Sequence, residues 1–149
     1  MKWIDIPPVW LAGAALLAWL QAQHFPAGLS LAHPVTQLLG GLLVGAGLVL
    51  IALAVWELYR NRTTVIPHQT PDQLVQSGIF SRSRNPIYLG DLLVLSGLIL
   101  NFDAVLSLPL IPIFLLVIEK RFVLPEEDRM RRKYRMDFAR YERKVRRWV

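Results

Sequence analysis

The chain has 149 residues, 54% of them hydrophobic, and a formal net charge of +6. That length suits a single domain over 1–149, and so high an apolar content beside so much charge argues against an ordinary soluble globule. With no cysteine in the chain, disulfides, thiolate nucleophiles and Cys-based metal sites are excluded.

Charge and hydropathy are segregated. Apolar blocks fill the first two-thirds, and most Lys and Arg residues follow Ile118, the arrangement of a small multispan membrane protein with a basic tail. The start carries one Lys and no A-x-A-like cleavage site, so it reads as the retained lead into a first span. That span runs over 7–25, close to the ~20 residues needed to cross a bilayer, with Trp3, Trp10 and Trp19 as candidate interfacial rings. His24 and His33 follow in a connection without a third ligand nearby, and both read as loop histidines; no metal site is expected.

A second span covers 36–59. Gly41 and Gly45 within it form a small-xxx-small pair suited to close helix packing. Glu57 lies near its exit beside Arg60 and Arg62, where an ion pair or snorkelling satisfies a carboxylate. The loop 60–86 is polar, broken by Pro67, Pro71 and Gly78, with room for one short surface helix over 72–77. Leu74, Val75, Ile79 and Phe80 give it apolar residues to pack.

Asn85 is a good N-cap and Pro86 a good first helical residue, so a helix begins there and a third span runs over 87–102. Its free N–H groups, flanked by Arg82 and Arg84, form a receptor for a carboxylate or phosphate. Asp91 lies about 8 Å into that helix, as site wall or solvated residue. A tight turn, Asn101-Phe102-Asp103, leads to a fourth span over 104–123, in which Pro109 and Pro112 are expected to make a kink. Near its end Glu119 precedes Lys120 and Arg121, which suits a snorkelling pair as well as function. After Pro125, Glu126-Glu127-Asp128 suits the first turn of a helix. Met130, Tyr134, Phe138, Tyr141, Val145 and Trp148 then recur at steps of three or four, one apolar stripe on a basic helix that lies on a membrane surface or folds back over the bundle.

The predicted architecture is all-α and integral to the membrane, with four transmembrane helices and an amphipathic C-terminal helix in the segment 124–149. Every Lys and Arg falls in the N-terminal tail, in or beside the 60–86 loop, or at and after the end of the fourth span. The positive-inside rule therefore puts both termini and the polar site on the cytosolic side; if the source is prokaryotic, the membrane is the cytoplasmic one. A nucleic-acid partner is not expected; membrane lipids are.

The run Leu74-Val75-Gln76-Ser77-Gly78-Ile79-Phe80, continued by Arg84-Asn85-Pro86-Ile87-Tyr88-Leu89-Gly90, resembles the signature of the isoprenylcysteine carboxyl methyltransferase and phospholipid methyltransferase superfamily. A second signature of that superfamily, a Glu pair followed by aromatics and a basic end, resembles Glu126-Glu127 with Tyr134, Phe138, Tyr141 and Val145-Arg146-Arg147-Trp148. The resemblance covers 63–148. It departs at Asn85, where the prenylcysteine branch carries His, and at Arg135 and Phe138, where Gly and Tyr are usual.

The resemblance implies S-adenosylmethionine as methyl donor, bound by Gly78, Phe80, Arg84, Asn85, Pro86, Tyr88, Gly90, Glu126, Glu127 and Tyr141, with Arg84, Asn85 and Tyr88 nearest the reaction. Its chemistry suits these residue types. Arg84 and the helix start offer donors to a carboxylate, Glu126 or Glu127 an acceptor for an ammonium, and Tyr88 and Tyr141 ring faces for adenine or sulfonium. The implied acceptor is lipophilic: an isoprenoid or prenylcysteine-like carboxylate, or an aminophospholipid. Distant relatives in the superfamily reduce sterol double bonds, but have more spans than this chain can hold. The alternative is a non-catalytic membrane scaffold or transporter partner whose basic tail binds lipid. Oligomeric state is not specified by these features.

Overall fold

The computed structural model describes residues 6–25, 28, 30, 33–62 and 74–148, and the elements among them are helical. They are α1 (Pro7–His24), α2 (Pro34–Arg60), α3 (Pro86–Asn101), α4 (Leu110–Ile118), α5 (Leu124–Tyr134) and α6 (Met136–Lys144). Short 3-10 turns occupy Gly78–Ser81 and Val105–Ser107, and a π-turn occupies Glu119–Val123. A proline opens each of α1, α2 and α3, where its missing N–H would have lacked a helical partner in any case. His33 caps α2, its Nδ1 accepting from the Val35 N–H at 3.1 Å.

Helix α3 is the centre of the fold, with eight of its 16 residues buried; the longer α2 buries only five of 27 and lies at the periphery. The two run antiparallel in close backbone contact. A Cβ on Gly47 would strike the Gly90 carbonyl and Val94, and one on Gly97 would strike the Gly40 carbonyl and Val44. The packing pair on α2 is therefore Gly40 and Gly47. Gly41 and Gly45, expected from their spacing, face open space, because glycines at 90 and 97 on the partner helix select the neighbouring face. On its other side α3 supplies Leu95 and Ile99 to an apolar core with Ala18 of α1 and Phe114, Ile118 and Phe122 beyond the α3–α4 turn.

The outer surface is apolar as well, with Leu16, Leu17, Leu38, Leu42, Leu48, Leu53, Trp56, Ile113 and Leu116 exposed. Apolar exposure on that scale marks a surface that meets something other than water. Among the described residues α2 is the one helix long and apolar enough to cross a membrane, with 17% of its apolar window buried. Its 27 residues span about 40 Å, more than a ~30 Å hydrocarbon core.

The fourth apolar block differs from expectation. Helix α4 begins at Leu110, and Pro109 and Pro112 sit at its start, where they kink nothing. The irregularity comes later. The Leu124 N–H bonds the Glu119 carbonyl, five residues back. Pro125 is the cause: it has no N–H, and its ring would crowd the carbonyl four residues back, at Arg121. The π-turn accommodates it and α4 continues into α5 without a loop.

The C-terminal segment is two helices and not one. The chain breaks at Arg135, whose φ is +45° and ψ −108°, and the break folds Phe138, Tyr141 and Val145 onto Leu74, Met130 and Tyr134. The stripe thus packs on the protein's own loop, while Trp148 leaves it for the α1–α3–α4 core. Of the surface helix expected over 72–77, positions 72 and 73 lie outside the described residues, as do 63–71, and Leu74, Val75 and Gln76 are not helical. The backbone at Arg135 is one that glycine adopts freely. Arg135→Gly is expected to stabilise the protein by about 1 kcal/mol, the relieved strain of ~1–3 kcal/mol outweighing glycine's larger chain-entropy loss. Thermal unfolding in detergent measures it, and a lowered midpoint would contradict it.

Candidate functional site

The loop between α2 and α3 is clamped at both ends. At the α2 end, buried Glu57 accepts from Ser77 Oγ and from Asn61 Nδ2, and lies 3.7 Å from Arg60 Nη1. Gly78, at φ +58°, passes so close that a Cβ would collide with this carboxylate. At the α3 end the C-terminal residues return alongside the loop. Arg84 N–H donates to the Arg146 carbonyl at 3.1 Å and Asn85 Nδ2 to the Arg147 carbonyl at 3.0 Å. Asn85 thus occupies the cap position without capping α3 through its side chain; it holds the C-terminal segment instead. The Tyr141 hydroxyl donates to the Phe80 carbonyl at 2.7 Å. Burial pushes its pKa up, against the opposing influence of Arg84, so it remains a neutral donor.

Between these clamps lies a cluster of ion pairs centred on Glu127, whose side chain is 6% exposed. Arg84 Nη1 approaches its Oε1 at 2.8 Å. Arg147 grips it with two bonds, Nε to Oε1 at 3.0 Å and Nη2 to Oε2 at 2.9 Å, and reaches Glu119 Oε1 from Nη1 at 2.7 Å. Bidentate pairs of this kind are the stronger form of ion pair, and the bond to Glu127 raises the Arg147 pKa further. The π-turn makes the double grip possible. Eight residues along an unbroken α-helix put side chains about 80° apart; one extra residue in the turn brings them within about 20°. Glu142 of α6 joins from the outside, 3.6 Å from Arg84 and 3.0 Å from Arg131.

Tyr88, in the first turn of α3, hydrogen-bonds Glu126 through its hydroxyl and lays its ring 6.3 Å from that of Phe122. Arg84, Asn85, Tyr88, Glu126 and Glu127, drawn from two motifs some forty residues apart in sequence, therefore meet at the polar end of α3. Gly78, Phe80 and Tyr141 form a surrounding layer, and Pro86 is fully buried beneath. Gly90 points away, against Gly47 and Ile51 of α2. A shallow surface dimple lined by Ile99, Leu100, Ala104 and Leu108, with no room for a water molecule, lies at the opposite end of α3. Arg147 is marked in the sequence only as part of the basic end of the second motif, and Glu142 lies outside both motifs.

A family model described as phospholipid methyltransferase matches residues 35–137. The chain belongs to that family. The match takes in α2, which by sequence resembles the family only in being apolar, and stops within α6, short of Tyr141, Glu142 and Arg147. No curated protein and no solved structure matches the chain. As a phospholipid methyltransferase family member the chain is a membrane methyltransferase.

Proposed function

We propose that the chain is an S-adenosylmethionine-dependent methyltransferase with four membrane spans, α1, α2, α3 and the block 104–123 that contains α4, both termini in the cytosol, acting at the cytosolic interface on a lipophilic acceptor that arrives from the bilayer. The observation that carries this reading is the meeting of Arg84 and Tyr88 with the Glu126-Glu127 pair at one end of α3. The donor set suits the proposed cofactor. Arg84 Nε is buried without a hydrogen-bond partner, an available donor for a carboxylate, while Glu126 and Glu127 offer acceptors for an ammonium. Bound there, S-adenosylmethionine supplies a methyl group on a positively charged sulfur. The protein's own part is alignment and exclusion of water: Arg84 and Glu127 fix the floor of the site, Tyr88 and Phe122 wall it, and α6 covers it from the polar side.

Calorimetric titration of the detergent-purified, lipid-supplemented protein with S-adenosylmethionine tests the reading. The wild type is expected to bind saturably, and Arg84→Ala and Glu126→Ala each to weaken binding about tenfold or more, the worth of one hydrogen bond to a charged group. No binding by folded wild type would sink the assignment and favour a scaffold that holds lipid with its basic tail.

A further inference from the structure

Glu127 is held by guanidiniums on both of its oxygens. It accepts from Arg84 Nη1, Arg147 Nε and Arg147 Nη2, which fills three of the roughly four acceptor positions a carboxylate has. An ammonium arriving there would be a third positive group on one buried carboxylate, and like charges at that range repel strongly where water is scarce. One guanidinium has to yield. Arg84 is nearly buried, and its other carboxylate, Glu142, lies at 3.6 Å. Arg147 is partly exposed and already has a second carboxylate in hand, with Glu119 Oε1 at 2.7 Å from its Nη1. Its main chain is tied down separately: the Arg147 carbonyl accepts from Asn85 Nδ2, the Arg146 carbonyl accepts from the Arg84 N–H, and Trp148 packs on the α1–α3–α4 core. The Arg147 side chain can therefore leave Glu127 while the segment that carries it stays in place.

Resting on the methyltransferase reading above, we propose that Arg147 is a resident cation of the donor site, which occupies Glu127 until the ammonium of the methyl donor arrives and then swings onto Glu119. The exchange keeps Glu127 compensated at every stage, whereas a buried carboxylate stripped of its partner is strongly destabilising. It also sets affinity. Each donor molecule that binds must displace a bidentate pair, so Arg147 supports the fold and weakens donor binding at the same time. A residue that merely tied down the C-terminal segment would do the reverse to binding, because its loss would loosen Arg84 and Asn85, to which that segment is bonded. After methyl transfer the spent donor still carries its ammonium, and Arg147 returning to Glu127 helps to expel it.

Calorimetric titration with S-adenosylmethionine and thermal unfolding, both in lipid-supplemented detergent, test this on wild type, Arg147→Gln, Arg147→Lys and Glu119→Gln. Arg147→Gln is expected to bind the donor about tenfold tighter, the worth of one hydrogen bond to a charged group, while its thermal midpoint falls. Arg147→Lys keeps the charge without the double grip and should lie between it and wild type. Glu119→Gln should bind about threefold to fivefold more weakly, since Glu119 is the whole partner of Arg147 once the donor is bound and only part of it before. Millimolar ethylguanidinium, which replaces the missing side chain, should raise the midpoint of Arg147→Gln and weaken its donor binding, and leave wild type unchanged. Donor binding by Arg147→Gln no tighter than wild type overturns the exchange and leaves the methyltransferase reading standing. Where Arg147→Gln does not fold, Arg147→Lys and Glu119→Gln decide: affinities equal to wild type in both overturn it. Absence of donor binding in folded wild type overturns both readings.

Discussion

Glu127→Ala is expected to be among the most disruptive single substitutions in this protein, abolishing donor binding and lowering stability by about 3 kcal/mol. Glu127 is shared by two guanidiniums, Arg84 at 11% and Arg147 at 30% side-chain exposure. Removing one partner of a buried ion pair leaves an uncompensated charge and costs about 3–5 kcal/mol. The lower end applies here because Arg147 is partly hydrated and keeps Glu119, and Arg84 keeps Glu142 at 3.6 Å. Glu127→Gln retains an acceptor oxygen and should lose roughly half as much. Arg131→Ala provides the control. Its pair with Glu142 is 46% exposed on the arginine side, and such surface pairs contribute about 0–1 kcal/mol. Urea unfolding in detergent measures all three; a Glu127→Ala no less stable than Arg131→Ala would mean that the cluster does not hold α5 to the loop.

The same cluster explains which parts of the protein can be read from its residues. Helices α1, α2 and α3 announce themselves by long apolar runs behind an opening proline, and the structure moves their starts and ends by only a residue or two. Arg84, Asn85, Tyr88, Glu126 and Glu127 belong to two motifs legible in the sequence, and the structure brings those motifs together at one end of α3. Periodicity carried less. The stripe from Met130 to Trp148 obeys helical spacing across Arg135, yet one backbone conformation there divides it into α5 and α6. The hint was the residue that stands where glycine is usual. Arg147 stands in the basic end of the second motif, but its grip on Glu127 is not legible there, because it depends on a π-turn some 25 residues earlier in the chain and on the C-terminal return past Asn85.

The second large effect expected is on the α2–α3 crossing, where Gly47→Leu should prevent the native packing while Gly45→Leu leaves it intact. The two positions share a helix, an apolar setting and a residue type, and differ in what a side chain would meet. At Gly47 a first carbon would already collide with the Gly90 carbonyl and the Val94 side chain and backbone, whereas Gly45 has nothing within 4 Å. Backbone atoms on both sides cannot rotate aside, so relief requires the helices to separate. Separation would also uncouple Gly40 from Gly97, two turns away. Overpacking in a rigid core costs about 1–3 kcal/mol where side chains can yield, and here the obstacle is main chain, so the loss should exceed that range. Separation would carry further along α3. Its first turn bears Tyr88, and it follows directly on Arg84 and Asn85, so Gly47→Leu should lose donor binding although it touches no residue of the site. Thermal unfolding and S-adenosylmethionine titration of both variants decide the matter. Equal behaviour of Gly45→Leu and Gly47→Leu would show that α3 does not take its position from α2, and that the site is held in place by the Glu127 cluster alone.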